Sequence, residues 1–158
     1  MIIAGTGHRP SKIGGFSIPN PTYNYICKET EKILLQEKPD KVITGMALGF
    51  DTILANTCIK IGIPFIAAIP FKGQENYWPT EARDLYYKLL SKAEAIEVVC
   101  PGGFASWKMQ VRNQWLVNRC DLLVACFNND TYGGTYNCIK YAKEHNKKII
   151  FINPKNIK

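Results

Sequence analysis

Residues 41–70 read KVITGMALGFDTILANTCIKIGIPFIAAIP, and this stretch decides the fold class. Lys41–Thr44 is a short β-branched run, expected to be a strand. Residues 49–61 follow with Ile53, Leu54, Thr57 and Ile61 on one helical face, and Gly62 ends that helix. Residues 63–69 form a second apolar run, stopped by Pro70. Neither run alternates apolar with polar residues, as burial on both faces of a parallel sheet requires. The stretch is therefore a strand, helix, strand unit. Outward from it the rhythm continues. Upstream lie a strand at 1–5, a long Gly/Pro-rich loop at 6–21, and a helix at 23–37 that carries Ile26, Ile33 and Leu34 and stops at Pro39-Asp40. Downstream come a helix at 80–93 entered through Thr80 and Glu81, a strand at 96–100, a helix at Trp107–Arg119, a strand at 122–127, a helix at Gly134–Glu144 and a strand at Lys148–Ile152. The expectation is one α/β domain over residues 1–154, Rossmann-like, with three layers around a doubly wound, mostly parallel sheet, and a short basic tail at 155–158.

Composition narrows the function classes. The chain has 158 residues, 46% of them apolar, enough to bury a core without metal or disulfide staples. No apolar run approaches the ~18–20 residues that span a bilayer. The start, MIIAGTGHRP, lacks a basic segment followed by a long apolar one, so a cytoplasmic protein without membrane contact is expected. The six cysteines include no CxxC pair and only two histidines accompany them, which predicts buried thiols and no metal site. The net charge of +7 invites a nucleic-acid reading, but Lys140, Lys143, Lys147, Lys148, Lys155 and Lys158 with the single Glu144 carry most of it. Nucleic acid is accordingly disfavoured as partner.

In an open parallel sheet, ligands bind outside the carboxyl ends of the strands. Three such ends here are glycine-rich: Gly5-Thr6-Gly7-His8-Arg9, Gly45-Met46-Ala47-Leu48-Gly49 with Asp51 just beyond, and Gly133-Gly134-Thr135. Glycine lets backbone N–H groups approach an anion, and a helix N-terminus adds about half a positive charge. A phosphate-bearing ligand is expected. No GxGxxG opens the first helix and no GxxxxGK[ST] is present, which demotes the standard dinucleotide and P-loop readings. Arg9 suits a second phosphate, while His8 suits a ribose hydroxyl or acid–base work. Asp51 fits either helix-start stabilisation or a ribose contact. Phe71, Tyr77 and Trp78, interleaved with Gln74 and Asn76, offer stacking and edge hydrogen bonds to an adenine, or else cap the core. Arg112 is either a bidentate phosphate clamp or a solvated surface residue. Trp107 and Trp115 with Leu116 form an apolar helix face suited to the core or to a homo-oligomer interface.

The segments GTGHRP, ITGMALGFDTILA, IPFKGQENYW, MQVRNQWLV and YGGTYNCIKYA, in this order, resemble the YpsA-like branch of the SLOG superfamily, which includes the Lonely Guy phosphoribohydrolases and DNA-processing protein A. The resemblance implies a Rossmann-like fold with a nucleotide pocket at the carboxyl edge of the sheet. The phosphoribohydrolases pair MHxRK with PGGxGTxxE. Met109–Asn113 resembles the first motif and keeps Arg112, with Gln110 and Asn113 in place of histidine and lysine. The second motif is matched through Gly133, Gly134 and Thr135, but its catalytic glutamate position is Cys138. A thiol can neither position water as a base nor stabilise an oxocarbenium ion. The expectation is a protein that senses or sequesters a small nucleotide, NAD-derived or ADP-ribose-like, with no catalytic residue and no cofactor. Two alternatives stay open. One is a nucleotide N-glycosidase using Glu75, Asp130 or His8; the other is a single-stranded DNA binder, since the glycine-rich entry at 45–51 resembles that of DNA-processing protein A.

Overall fold

The computed structural model describes residues 1–15 and 17–157, so Lys158 of the expected tail lies outside the described residues. Strands and helices alternate: β1 (Ile2–Gly7), α1 (Pro21–Glu37), β2 (Lys41–Thr44), α2 (Phe50–Ile61), β3 (Phe65–Ile69), α3 (Thr80–Leu90), β4 (Ala95–Val98), α4 (Trp107–Arg119), β5 (Leu122–Cys126), α5 (Gly134–Glu144) and β6 (Lys148–Ile152). The strands form one six-stranded sheet in the order β4-β3-β2-β1-β5-β6, and every neighbouring pair is parallel.

The two-residue period of a strand sorts its side chains onto two cores. Ile3, Val42, Ala67 and Val124 pack with α1, α2 and α3, whereas Ala4, Ile43, Ala68 and Leu123 pack with α4 and α5. Both faces of the four central strands are covered, which is why their sequences do not alternate, while β4 and β6 at the sheet edges stay largely exposed or half-buried. All six cysteines are free thiols, and only Cys27 is not fully buried. No helix of the described residues is long and apolar enough to cross a membrane.

Element boundaries differ from the sequence reading where local chemistry was missed. α1 begins at Pro21 because Asn20 Oδ1 accepts the Tyr23 N–H at 2.8 Å and proline suits the first helical position. Thr80 does not cap α3: it is the first helical residue, with Pro79 before it and no side-chain cap. β1 runs on through Gly7, pairing Gly5 with Val124, Thr6 with Ala125 and Gly7 with Cys126, so the first glycine pair belongs to the sheet rather than to a loop. A 3-10 turn at Pro154–Asn156 follows β6 with Pro154 buried, so regular backbone continues into the expected tail, although Lys155 and Asn156 are exposed.

β1 is where the topology reverses. The chain leaves β1 toward α1 on one face and leaves β5 toward α5 on the other, so the two loops diverge and open a crevice at the carboxyl edge. The lysine-rich end of α5 and the start of β6 lie at the opposite, amino edge.

Candidate functional site

A cavity of about 420 Å³ occupies that crevice, within the range of small-molecule sites. Thr6, Gly7, His8, Arg9, Ser11 and Lys12 line it from β1 and the following loop. Ala47 and Asp51 come from the entry to α2, and Ser106, Met109, Gln110, Arg112 and Asn113 from α4 and the residue before it. Tyr132, Gly133, Gly134, Thr135 and Asn137 complete it at the start of α5.

The α5 entry is built to stay open. Gly133 has φ 98° and ψ −175°, a conformation that side chains do not adopt, and the helix has no side-chain cap. A Cβ on Gly133 would meet nothing within 4 Å, and one on Gly134 would meet only Asn113 Nδ2 at 3.8 Å. The start of α5 therefore opens on the cavity, which is also lined by the exposed Arg9, without a salt-bridge partner among the described residues, and by Lys12, paired with Asp130 at 2.6 Å.

The glycine turn after β2 works differently, correcting the expectation of three equivalent phosphate turns. A Cβ on Gly45 would lie 2.4 Å from Arg112 Nη1 and 2.9 Å from Asp51 Oδ2, and one on Gly49 would lie 2.3 Å from the His8 carbonyl oxygen. That carbonyl already accepts the first N–H of α2, from Phe50 at 3.2 Å. Gly45 and Gly49 thus permit close packing, and neither lines the cavity. Gly5 is likewise internal to the sheet, where a Cβ would fall 2.2 Å from Leu54.

Arg112 is neither a free clamp nor a solvated residue. It is 4% exposed; Nη1 donates to the carbonyls of Gly45 (2.6 Å) and Ala68 (3.2 Å), and Nε donates to Asn113 Oδ1 (2.9 Å). It therefore ties the ends of β2 and β3 to α4. Asp51 is buried beside it; Oδ2 accepts the Ala47 N–H at 3.2 Å, while Oδ1 has no protein partner. Burial pushes the Asp51 carboxyl up from its ordinary value and pulls the Arg112 guanidinium down, and each is the largest influence opposing the other's shift.

His8 is buried in the cavity wall, where Nε2 accepts the Asn128 N–H at 3.0 Å, leaving the proton of the neutral ring on Nδ1. Burial, then the charge of Lys12, lowers its pKa from 6.5. The folded state thus binds fewer protons than the unfolded chain just below that value, so stability falls as pH drops through 6.5 toward the folded-state value, then levels. Between about pH 7.5 and about pH 5.5, spanning the ordinary histidine range, the wild type is expected to lose more thermal stability than His8→Gln. Equal losses in the two melting series contradict this.

The aromatic cluster proposed for an adenine lies elsewhere. Phe71 is buried edge-on to Phe104, Trp78 packs against Tyr86 at 5.1 Å, and Gln74 donates to the Gly45 carbonyl at 3.3 Å, none of them lining the cavity. Tyr77 projects outward, 99% exposed. These residues cap the core, because their loop turns back onto α3. The substitute carboxylates are also misplaced. Glu75 accepts from the Tyr87 hydroxyl at 2.8 Å, and Asp130 pairs with Lys12 at 2.6 Å, which holds its carboxyl below the ordinary value; neither lines the cavity. Cys138 is fully buried and its thiol is pushed up to about 12 by desolvation. Asp51 is the one carboxylate among the described residues lining the cavity. Lys12, Ser106 and Tyr132 were not expected there; a lysine in the loop after β1 was the available signal for the first.

Three comparisons place the chain among known proteins. It is 32% identical over 131 residues, 72% of this chain and 75% of the relative, to the uncharacterized SPbeta prophage-derived protein YoqJ of Bacillus subtilis (strain 168). Its fold is similar to that of DNA processing protein A (DprA) from Streptococcus pneumoniae, with TM-score 0.67 and 17% identity over 96% of this chain; the chain spans only 50% of that protein's length. It is also similar to the molybdenum cofactor binding protein of Rippkaea orientalis, with TM-score 0.59 and 16% identity over 95% of this chain and 74% of that one. Residues 3–157 match the YspA SLOG family model, so the chain belongs to the YspA SLOG family.

Proposed function

We propose that the crevice binds a small phosphate-bearing nucleotide, NAD-derived or ADP-ribose-like, and holds it intact, so that the protein senses or sequesters it. The observation that carries this reading is the uncapped start of α5, open to a cavity that also receives Arg9 and Lys12. A helix N-terminus with adjacent cations favours phosphate over neutral ligands. Cys138, fully buried, stands where the resembled phosphoribohydrolases carry their glutamate, and Asp51, the one carboxylate lining the cavity among the described residues, is itself buried, held by the Ala47 N–H beside the Arg112 guanidinium, so the cavity offers no exposed carboxylate for glycoside cleavage. Arg9 has no salt-bridge partner among the described residues, so Arg9→Ala is expected to keep the melting temperature while weakening ADP-ribose roughly tenfold or more in isothermal titration, the range for a charged hydrogen bond. An unchanged affinity removes Arg9 from the site.

DprA carries the competing reading, single-stranded DNA, because a Helicobacter pylori DprA structure with TM-score 0.66 describes a single-stranded DNA binding mode. Lys143, Lys147 and Lys148, at the end of α5 and the start of β6, lie at the sheet edge opposite the crevice, whereas Lys155 follows β6 at the crevice's edge; the larger part of this lysine excess is thus remote from the cavity, which favours the small ligand. Oligonucleotide binding that falls steeply with salt would reverse that preference. The exposed Trp107 supports self-association through α4, and a monomer in sedimentation equilibrium excludes it.

A further inference from the structure

We infer that Tyr132 is the base-stacking residue of this crevice, with Gln110 of α4 reading the edge of the base; the inference rests on the nucleotide reading above. Tyr132 lines the cavity, yet it is 82% exposed, so its ring adds almost nothing to the core. Its backbone is nevertheless fixed: the Tyr132 N–H donates to Asp130 Oδ1 at 3.0 Å, the Asp130 N–H donates to Asn128 Oδ1 at 3.0 Å, and Lys12 Nζ holds Asp130 Oδ2 at 2.6 Å. At 82% exposure, the ring at the cavity rim offers apolar surface that a planar ligand would remove from water. The next residue, Gly133, opens the anion-facing end of α5, so the ring and the phosphate position are adjacent in the chain.

The rest of the lining fits this division. Arg9 and Lys12 come from the loop after β1, whereas Ser106, Met109 and Gln110 at the start of α4 supply a hydroxyl, a thioether and an amide without charge. A primary amide both donates and accepts, as the edge of a nucleobase requires. Asp51 lies in the cavity floor, with Oδ1 buried and without a protein partner.

The test is isothermal titration of wild type, Tyr132→Ala and Tyr132→Phe with ADP-ribose and with base-free ribose 5-phosphate. Tyr132→Ala is expected to weaken ADP-ribose roughly tenfold or more, the range for one stacked base, with ribose 5-phosphate unchanged and Tyr132→Phe close to wild type. Equal effects of Tyr132→Ala on both ligands, or none on either, overturn the stacking role. Wild type that binds neither compound overturns the nucleotide reading and this inference with it, an outcome distinct from the other two.

Discussion

Arg112→Ala is expected to lower the melting temperature by about 6–20 °C, corresponding to about 3–5 kcal/mol for a buried charged group removed from its partners in a chain of this size. The guanidinium bridges three elements at once: two strand-end carbonyls, Gly45 and Ala68, and the Asn113 amide on α4. Truncation leaves the Gly45 carbonyl only the longer bond from Gln74 Nε2 at 3.3 Å, takes a donor from the Ala68 carbonyl and from Asn113 Oδ1, and removes the charge that most opposes protonation of Asp51. Arg112→Lys should recover only part of the loss, since one ammonium cannot reproduce the planar fork. Thermal denaturation monitored by circular dichroism decides the matter. A variant that melts with the wild type would return Arg112 to the role of a ligand clamp with no structural duty.

Gly7→Ala and Gly134→Ala are expected to separate folding from binding. A methyl on Gly7 would fall 2.4–2.6 Å from Cβ, Cγ and Cδ2 of Phe50, which is fully buried at the start of α2. Neither the strand nor the helix can yield there, so about 3 kcal/mol of stability should be lost. A methyl on Gly134 enters open cavity, with Asn113 Nδ2 at 3.8 Å as its nearest neighbour. That variant should melt at or slightly above the wild-type temperature, since Gly→Ala reduces the entropy of the unfolded chain. Its ADP-ribose affinity should nonetheless fall, because the methyl occupies the anion end of the crevice. The opposite pattern, a stable Gly7→Ala and an unstable Gly134→Ala, contradicts the assignment of packing to the first glycine and ligand space to the second.

The parallel sheet was legible because the central strand segments are apolar without alternation, the pattern that burial on both faces demands, whereas the edge strands β4 and β6 are largely exposed or half-buried. Strand order needs long-range pairing and was not readable. The crevice was partly legible. Glycine at a strand end signals close approach without saying of what: at Gly133 it is open space, at Gly49 the His8 carbonyl, at Gly45 the Arg112 guanidinium. The aromatic loop misled for a similar reason. Phe71, Gln74 and Trp78 follow a strand as ligand residues do, but their loop folds back on Tyr86 of α3. Tyr132 carried no spacing signal, since a lone tyrosine before Gly-Gly becomes a rim residue only once α4 is packed beside α5.

The central claim is that the crevice holds a phosphate-bearing nucleotide without breaking it. The most direct measurement incubates the protein separately with AMP, ADP, NAD and ADP-ribose, removes unbound compound by gel filtration, denatures the protein and identifies by mass spectrometry what is released from each. Recovery of one of these nucleotides intact, in amounts approaching one per chain, is the predicted result. Recovery of none, or of free base together with a sugar phosphate, contradicts it.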